Sequence, residues 1–139
     1  MPGSPARIAL PVGLVAVGGG LGTAVRYGVE SALPHTDTGW PTGTFVVNVV
    51  GSFVLGLLLE ALSRRGSDTG PRLRLRLLLG VGFCGALTTY STFALEIVES
   101  LRRGAAPLAA AYGAASIVAG LAAAAAGIAA AGAVRRSSS

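Results

Sequence analysis

Four stretches without a single charged side chain divide this chain, at positions 8–25, 42–59, 77–95 and 104–134. Each has at least the length an α-helix needs to cross a hydrocarbon core, roughly 17–25 residues. In a bilayer every backbone polar group must be satisfied inside its own segment, so runs of this kind fold as helices. The remaining residues are not numerous enough for a second, water-soluble unit. Only 12% of the 139 residues are charged, against about 25% in soluble domains, which excludes an ordinary water-soluble globule. The expectation is an all-α membrane protein, one integral domain with four transmembrane helices over about 8–33, 42–62, 73–99 and 105–134.

The punctuation between the runs agrees. Helical character can continue past the first run through Arg26, Tyr27 and Glu30 to Leu33, where Pro34-His35-Thr36-Asp37-Thr38-Gly39-Trp40-Pro41 reads as a polar turn bounded by prolines. Trp40 is an aromatic of the type enriched at membrane interfaces. Ser63-Arg64-Arg65-Gly66-Ser67-Asp68-Thr69-Gly70-Pro71 is the second loop, and Ser137-Ser138-Ser139 reads as a disordered tail. Arg7 ahead of an apolar stretch also fits a secretory leader, a reading disfavoured by the three further spans.

All 11 basic residues are arginines, and the net charge is +5. In a soluble chain such basicity would raise nucleic-acid binding. Here most of the arginines flank apolar runs, where membrane insertion places them, so no nucleic-acid partner is expected. The side holding both termini and the middle loop carries eight (Arg7, Arg64, Arg65, Arg72, Arg74, Arg76, Arg135, Arg136), and the opposite side carries two, Arg102 and Arg103. Both termini are therefore expected in the cytoplasm. Cys84 is alone, matches no metal-ligand spacing, and reads as a small apolar filler.

The polar residues inside the runs are the candidates for function. Thr44, Asn48 and Ser52, four apart, share one face of the second span. An amide there must face a partner helix or a water-filled path. Spacing alone leaves open an interhelical hydrogen bond or a donor lining a pore. Tyr112, Ser116 and Gly120 repeat the spacing in the fourth span, whose alanines and glycines suit close helix packing. The third span is the least regular: Gly80, Gly82, Gly85 and Thr88-Thr89-Tyr90-Ser91-Thr92 are poor material for a lipid-facing helix. Either it breaks, or its polar side faces protein or water. Tyr90 and Phe93 share a face, and ring edges are electropositive, although ordinary packing gives the same spacing. The one histidine, His35, lies in a loop, no catalytic grouping emerges, and an enzyme is not expected.

Taken together, Gly18-Gly19-Gly20-Leu21-Gly22-Thr23-Ala24-Val25-Arg26-Tyr27, Gly43-Thr44-Phe45-Val46-Val47-Asn48-Val49-Val50-Gly51-Ser52-Phe53 and Gly82-Phe83-Cys84-Gly85-Ala86-Leu87-Thr88-Thr89-Tyr90-Ser91-Thr92-Phe93 resemble the Fluc/CrcB family of fluoride channels in content and order. The resemblance covers nearly the whole chain. It implies an antiparallel, dual-topology dimer of four-helix subunits in the plasma membrane, with a broken third helix and two narrow fluoride pores. It also implies a structural, untransported Na+ at the subunit interface, held by the backbone carbonyls of Gly85 and Thr88. By the same resemblance Asn48 is the pore asparagine, and Tyr90 and Phe93 are the rings facing fluoride. Ser91 and Thr92 supply hydroxyls nearby, Tyr112 and Ser116 form the polar track of the fourth span, and Arg26 and Glu96 stand near the vestibule and pore end. Two positions depart from the family pattern: Tyr90 stands where Phe is usual, and Gly120 where the track often has a third hydroxyl.

The implied role is passive export of fluoride, lowering its cytoplasmic concentration. Two other classes fit four short spans: a small multidrug or cation transporter, which needs a membrane-embedded carboxylate, and a noncatalytic membrane subunit. Glu30, Glu60 and Glu96 all fall near expected span ends, which disfavours the carrier. The eight-to-two arginine bias is steeper than a subunit inserting equally both ways should show. The expected partner is therefore an oppositely biased homologue in a heterodimer, with a homodimer as the alternative.

Overall fold

The computed structural model describes residues 5–36 and 39–136, so Asp37 and Thr38 of the first loop and the serine tail at 137–139 lie outside it. Described residues form helices and no strands: α1 (Pro5–Ala32), α2 (Thr42–Ser63), α3 (Pro71–Leu75), a π-helical stretch (Arg76–Cys84), α4 (Gly85–Leu87), α5 (Tyr90–Arg102) and α6 (Ala106–Arg136). Four segments are long and apolar enough to cross a membrane: Ile8–Ala32, Thr42–Ser63, Pro71–Arg102 and Ala106–Ala133. The third combines α3 through α5 and is interrupted once.

Local chemistry sets the ends. α1 stops just ahead of Leu33-Pro34, because the residue before a proline avoids the α region. α3 starts on Pro71 after Gly70, whose φ of 57° suits a residue without a Cβ. α5 closes in a Schellman motif: Gly104 N–H donates to the Leu101 carbonyl at 3.0 Å and Ala105 N–H to that of Ser100 at 2.9 Å, with Gly104 at φ 78°.

The helices pack as two pairs. α1 lies along the π-helical stretch, and α2 lies along α6. Both pairs depend on missing side chains. A Cβ on Gly18 or Gly22 would overlap the carbonyl of Leu78 or Phe83, and one on Gly127 the carbonyl of Phe53. These contacts also show direction. Rising numbers in α1 meet rising numbers in the third span, so the two run parallel, and the same holds for the second pair, where Ser52 lies near Gly120, Gly56 near Ala124 and Arg64 near Gly132, so α2 and α6 also run parallel. The chain therefore goes up, down, up and down. Without a hydrophobic drive between helices in lipid, backbone approach of this kind is what lets dispersion hold them together.

Much of the apolar surface is outward. Ile8, Val12 and Val17 of α1 are about 60% exposed, as are Ile117, Val118 and Leu121 of α6, which suits lipid. Buried positions include Val47, Cys84 and Tyr112. Cys84 packs as an apolar filler, and its thiol is free.

Candidate functional site

The third span breaks after Leu87. Thr88 (φ −81°, ψ 151°) and Thr89 (φ −143°, ψ 118°) are extended, and helix resumes at Tyr90. Thr89 caps α5, its Oγ1 accepting the Thr92 N–H at 3.1 Å as an N-cap threonine does. Ser91 and Thr92 turn their hydroxyls inward to the same atom, at 3.3 and 3.0 Å.

Asn48 holds the break from α2. Its Nδ2 donates to the Thr89 carbonyl at 3.2 Å, and its Oδ1 accepts the Thr89 N–H at 2.8 Å. The amide thus replaces a backbone strand partner for one residue. The interhelical bond left open by spacing alone is present, and Nδ2 has a second N–H beyond the one given to Thr89. Gly51, one turn along α2, makes the approach possible, since a Cβ there would overlap the Thr88 methyl.

The clamp has a consequence for two carbonyls. In a continuous helix the Gly85 carbonyl would accept from Thr89 N–H and the Thr88 carbonyl from Thr92 N–H. Those donors are spent on Asn48 Oδ1 and Thr89 Oγ1 instead. Gly85 is exposed, with open space where a Cβ would stand. Released neutral oxygens at an exposed break are the donor set a hard cation such as Na+ takes, so the residues present fit one. Two carbonyls from one chain fall short of a full shell.

A groove of about 290 Å³ runs beside the break, with Asn48, Ser52, Thr88, Tyr90, Phe93, Ser116 and Gly120 among its lining residues. It joins residues from three helices that are up to 72 positions apart in sequence. Ser116 Oγ is buried with no hydrogen-bond partner among the described residues, an unmet capacity at the groove wall. Tyr90 is 81% exposed, and its ring lies 6.2 Å from that of Phe93. At Gly120 an added Cβ would sit 3.6 Å from Ser52 Oγ, so the missing third hydroxyl reflects no lack of room.

Other expected site residues stand elsewhere. Tyr112 is one layer behind the groove, 1% exposed, its ring 5.4 Å from that of Phe93. Glu96, expected beside water at a pore end, is buried instead: its oxygens accept from Thr44 Oγ1 at 2.6 Å and Tyr112 Oη at 2.7 Å. The amphipathic start of α5 turns this carboxylate into the α2–α6 packing, where two hydroxyls replace its hydration. Arg26 is half-buried on α1 and does not line the groove.

Two participants were not assigned a role by sequence reasoning. Thr89 is one, although a threonine ahead of a resumed helical pattern is a readable N-cap signal. Trp40, read as an interface aromatic, is the other: it sets its ring edge on Tyr112 at 5.4 Å and 88°. Rings of Trp40, Tyr112, Phe93 and Tyr90 thereby form a continuous line into the groove.

Residues 13–128 match the family described as CrcB-like protein, Camphor Resistance (CrcB). The chain is 43% identical over 110 residues to the fluoride-specific ion channel FluC of Novosphingobium aromaticivorans, covering 77% of this chain and 84% of the relative. It is 48% identical over 116 residues to FluC 2 of Leifsonia xyli subsp. xyli, covering 78% of this chain and 79% of the relative. With FluC 1 of Cutibacterium acnes it shares 42% over 109 residues, 78% of this chain and 76% of the relative.

Proposed function

The chain belongs to the CrcB-like family, and from that premise we propose that it is a fluoride-specific ion channel, not an enzyme, exporting fluoride passively from the cytoplasm. The observation that carries the reading is the groove in which Asn48, Tyr90, Phe93 and Ser116 converge. Fluoride is small and strongly hydrated, so a pore must replace its water with donors weak enough to let it go. A spare amide N–H, a hydroxyl without a partner and ring edges meet both demands, and no formal positive charge lines the groove to trap the ion. Tyr112, Ser91 and Thr92 shape the path from behind by fixing Phe93 and the start of α5. Arg26 is assigned to the vestibule, while Glu96 acts by positioning Tyr112.

A carrier would need an acid facing the groove. Glu96 is inside the packing, but both its oxygens are taken by hydroxyls, which favours the channel over a multidrug or cation transporter. Protein reconstituted into liposomes is expected to release trapped fluoride, read by a fluoride electrode, far faster than empty vesicles. Release at the empty-vesicle rate by folded protein would falsify the channel. Reconstitution from detergent inserts chains both ways, so the chain alone suffices for this assay.

The assembly follows from the break. Carbonyls of Gly85 and Thr88, joined by those of an oppositely inserted second subunit, would hold a structural Na+, whose fixed charge ties the two breaks together. In the cell the arginine bias sets both termini inside the plasma membrane, and a homologue of opposite bias supplies the partner. Replacing Na+ throughout purification is expected to lower subunit cross-linking, and a reporter at Ser139 to respond from the cytoplasmic side only. Equal cross-linking in both media removes Na+ from the interface; reporter signal from both sides of the membrane replaces the heterodimer with a homodimer.

A further inference from the structure

The arginine-rich end of the molecule holds a second, separate feature. Where α1 and the third span begin side by side, a groove of about 220 Å³ opens between them, walled by Leu10, Pro11 and Leu14 on one side and Leu73 and Leu77 on the other. Leu10 is 49% and Leu73 38% exposed. The charged residue on its wall is Arg74.

Three of the neighbouring guanidiniums are occupied. Arg64 pairs with Glu60 and Arg76 with Asp68, while Arg72 donates to the Arg65 carbonyl. Arg74 has no carboxylate or carbonyl partner among the described residues, and it is exposed. Over positions 60–76 five arginines face only Glu60 and Asp68, so this end is a positive field, and Arg74 is the cation that borders the apolar trough.

We infer that this groove is a binding site for an anionic phospholipid, one acyl chain lying between α1 and α3 and the phosphate resting on Arg74. The chemistry fits on both counts. The trough sits on the outer surface of two membrane-crossing segments, where hydrocarbon is the surrounding medium. A guanidinium takes two phosphate oxygens at once, which an ammonium does not. The surplus arginines select a headgroup lacking its own cation, since each basic residue near the surface contributes about 1 kcal/mol toward anionic lipid, or roughly five-fold in affinity.

Native mass spectrometry of the purified protein, titrated with phosphatidylglycerol or phosphatidylcholine, tests this. Phosphatidylglycerol is expected to be retained at least about five-fold more strongly, and Arg74→Gln to lose about that factor. Arg74→Lys should keep part of it. Leu14→Trp, which fills the trough, should reduce retention of both lipids, while Arg102→Gln at the other end should change neither. Equal retention of the two lipids by the unaltered protein overturns the site, as does Arg74→Gln retaining phosphatidylglycerol undiminished. A change in oligomer mass with lipid retention unaltered would instead assign the groove to a second copy of the chain.

Discussion

Asn48→Ala is expected to slow fluoride release from liposomes about a hundred-fold or more, to the rate of empty vesicles. The size follows from what the amide holds. Without it the N–H and carbonyl of Thr89 lose their partners together, and an unmet buried polar group costs about 1–3 kcal/mol. Two such groups can relax only by moving the break, and with it Tyr90 and Phe93 at the groove wall; about 2.8 kcal/mol is a hundred-fold. Asn48→Asp separates clamp from pore. Its carboxylate still accepts the Thr89 N–H, but it has no N–H to give and sets a negative charge against an anion. The Asp variant is therefore expected to stay monodisperse in detergent and lose flux as completely as the Ala variant. Flux at the unaltered rate in either would show that fluoride does not pass Asn48.

The course of the chain was legible because its signals are local. Uncharged runs mark the spans, prolines and glycines mark the turns, and the Gly85 to Thr92 segment announces a helix with two ways of being irregular. Which way it took was not local information. Thr89 leaves the helix because Asn48, 41 positions earlier, offers both halves of a peptide pairing. The same holds for Glu96. A carboxylate just past an apolar run looks like a boundary marker, yet Thr44 and Tyr112 come from helices 52 and 16 positions away to receive it. The stripe Thr44, Asn48, Ser52 shares one face, but its members serve three ends: Thr44 holds Glu96, Asn48 holds the break, and Ser52 donates to its own helix at the Asn48 carbonyl, 2.7 Å away. Periodicity shows which residues travel together; the partner on the facing helix decides what each one does.

That partner logic makes Glu96 the position where two neutral replacements should part company. Glu96→Leu keeps the site filled and removes the carboxylate to which the buried Thr44 and Tyr112 hydroxyls donate. At about 1–3 kcal/mol each, the loss is roughly 2–6 kcal/mol, read as a lower thermal aggregation temperature in detergent. Flux should fall as well, because Tyr112 is the ring behind Phe93 and its orientation depends on the bond to Glu96. Glu96→Gln should lose far less. Its oxygen still accepts from one hydroxyl, and its N–H2 can donate to the other, since a hydroxyl accepts as readily as it donates. The Gln variant is thus expected to aggregate within a few degrees of the unaltered protein and to conduct within a few-fold of it. If Gln proves as damaging as Leu, the carboxylate's charge and not its hydrogen-bond geometry is what the Thr44 and Tyr112 pairing conserves, and Glu96 acts on the permeating ion directly.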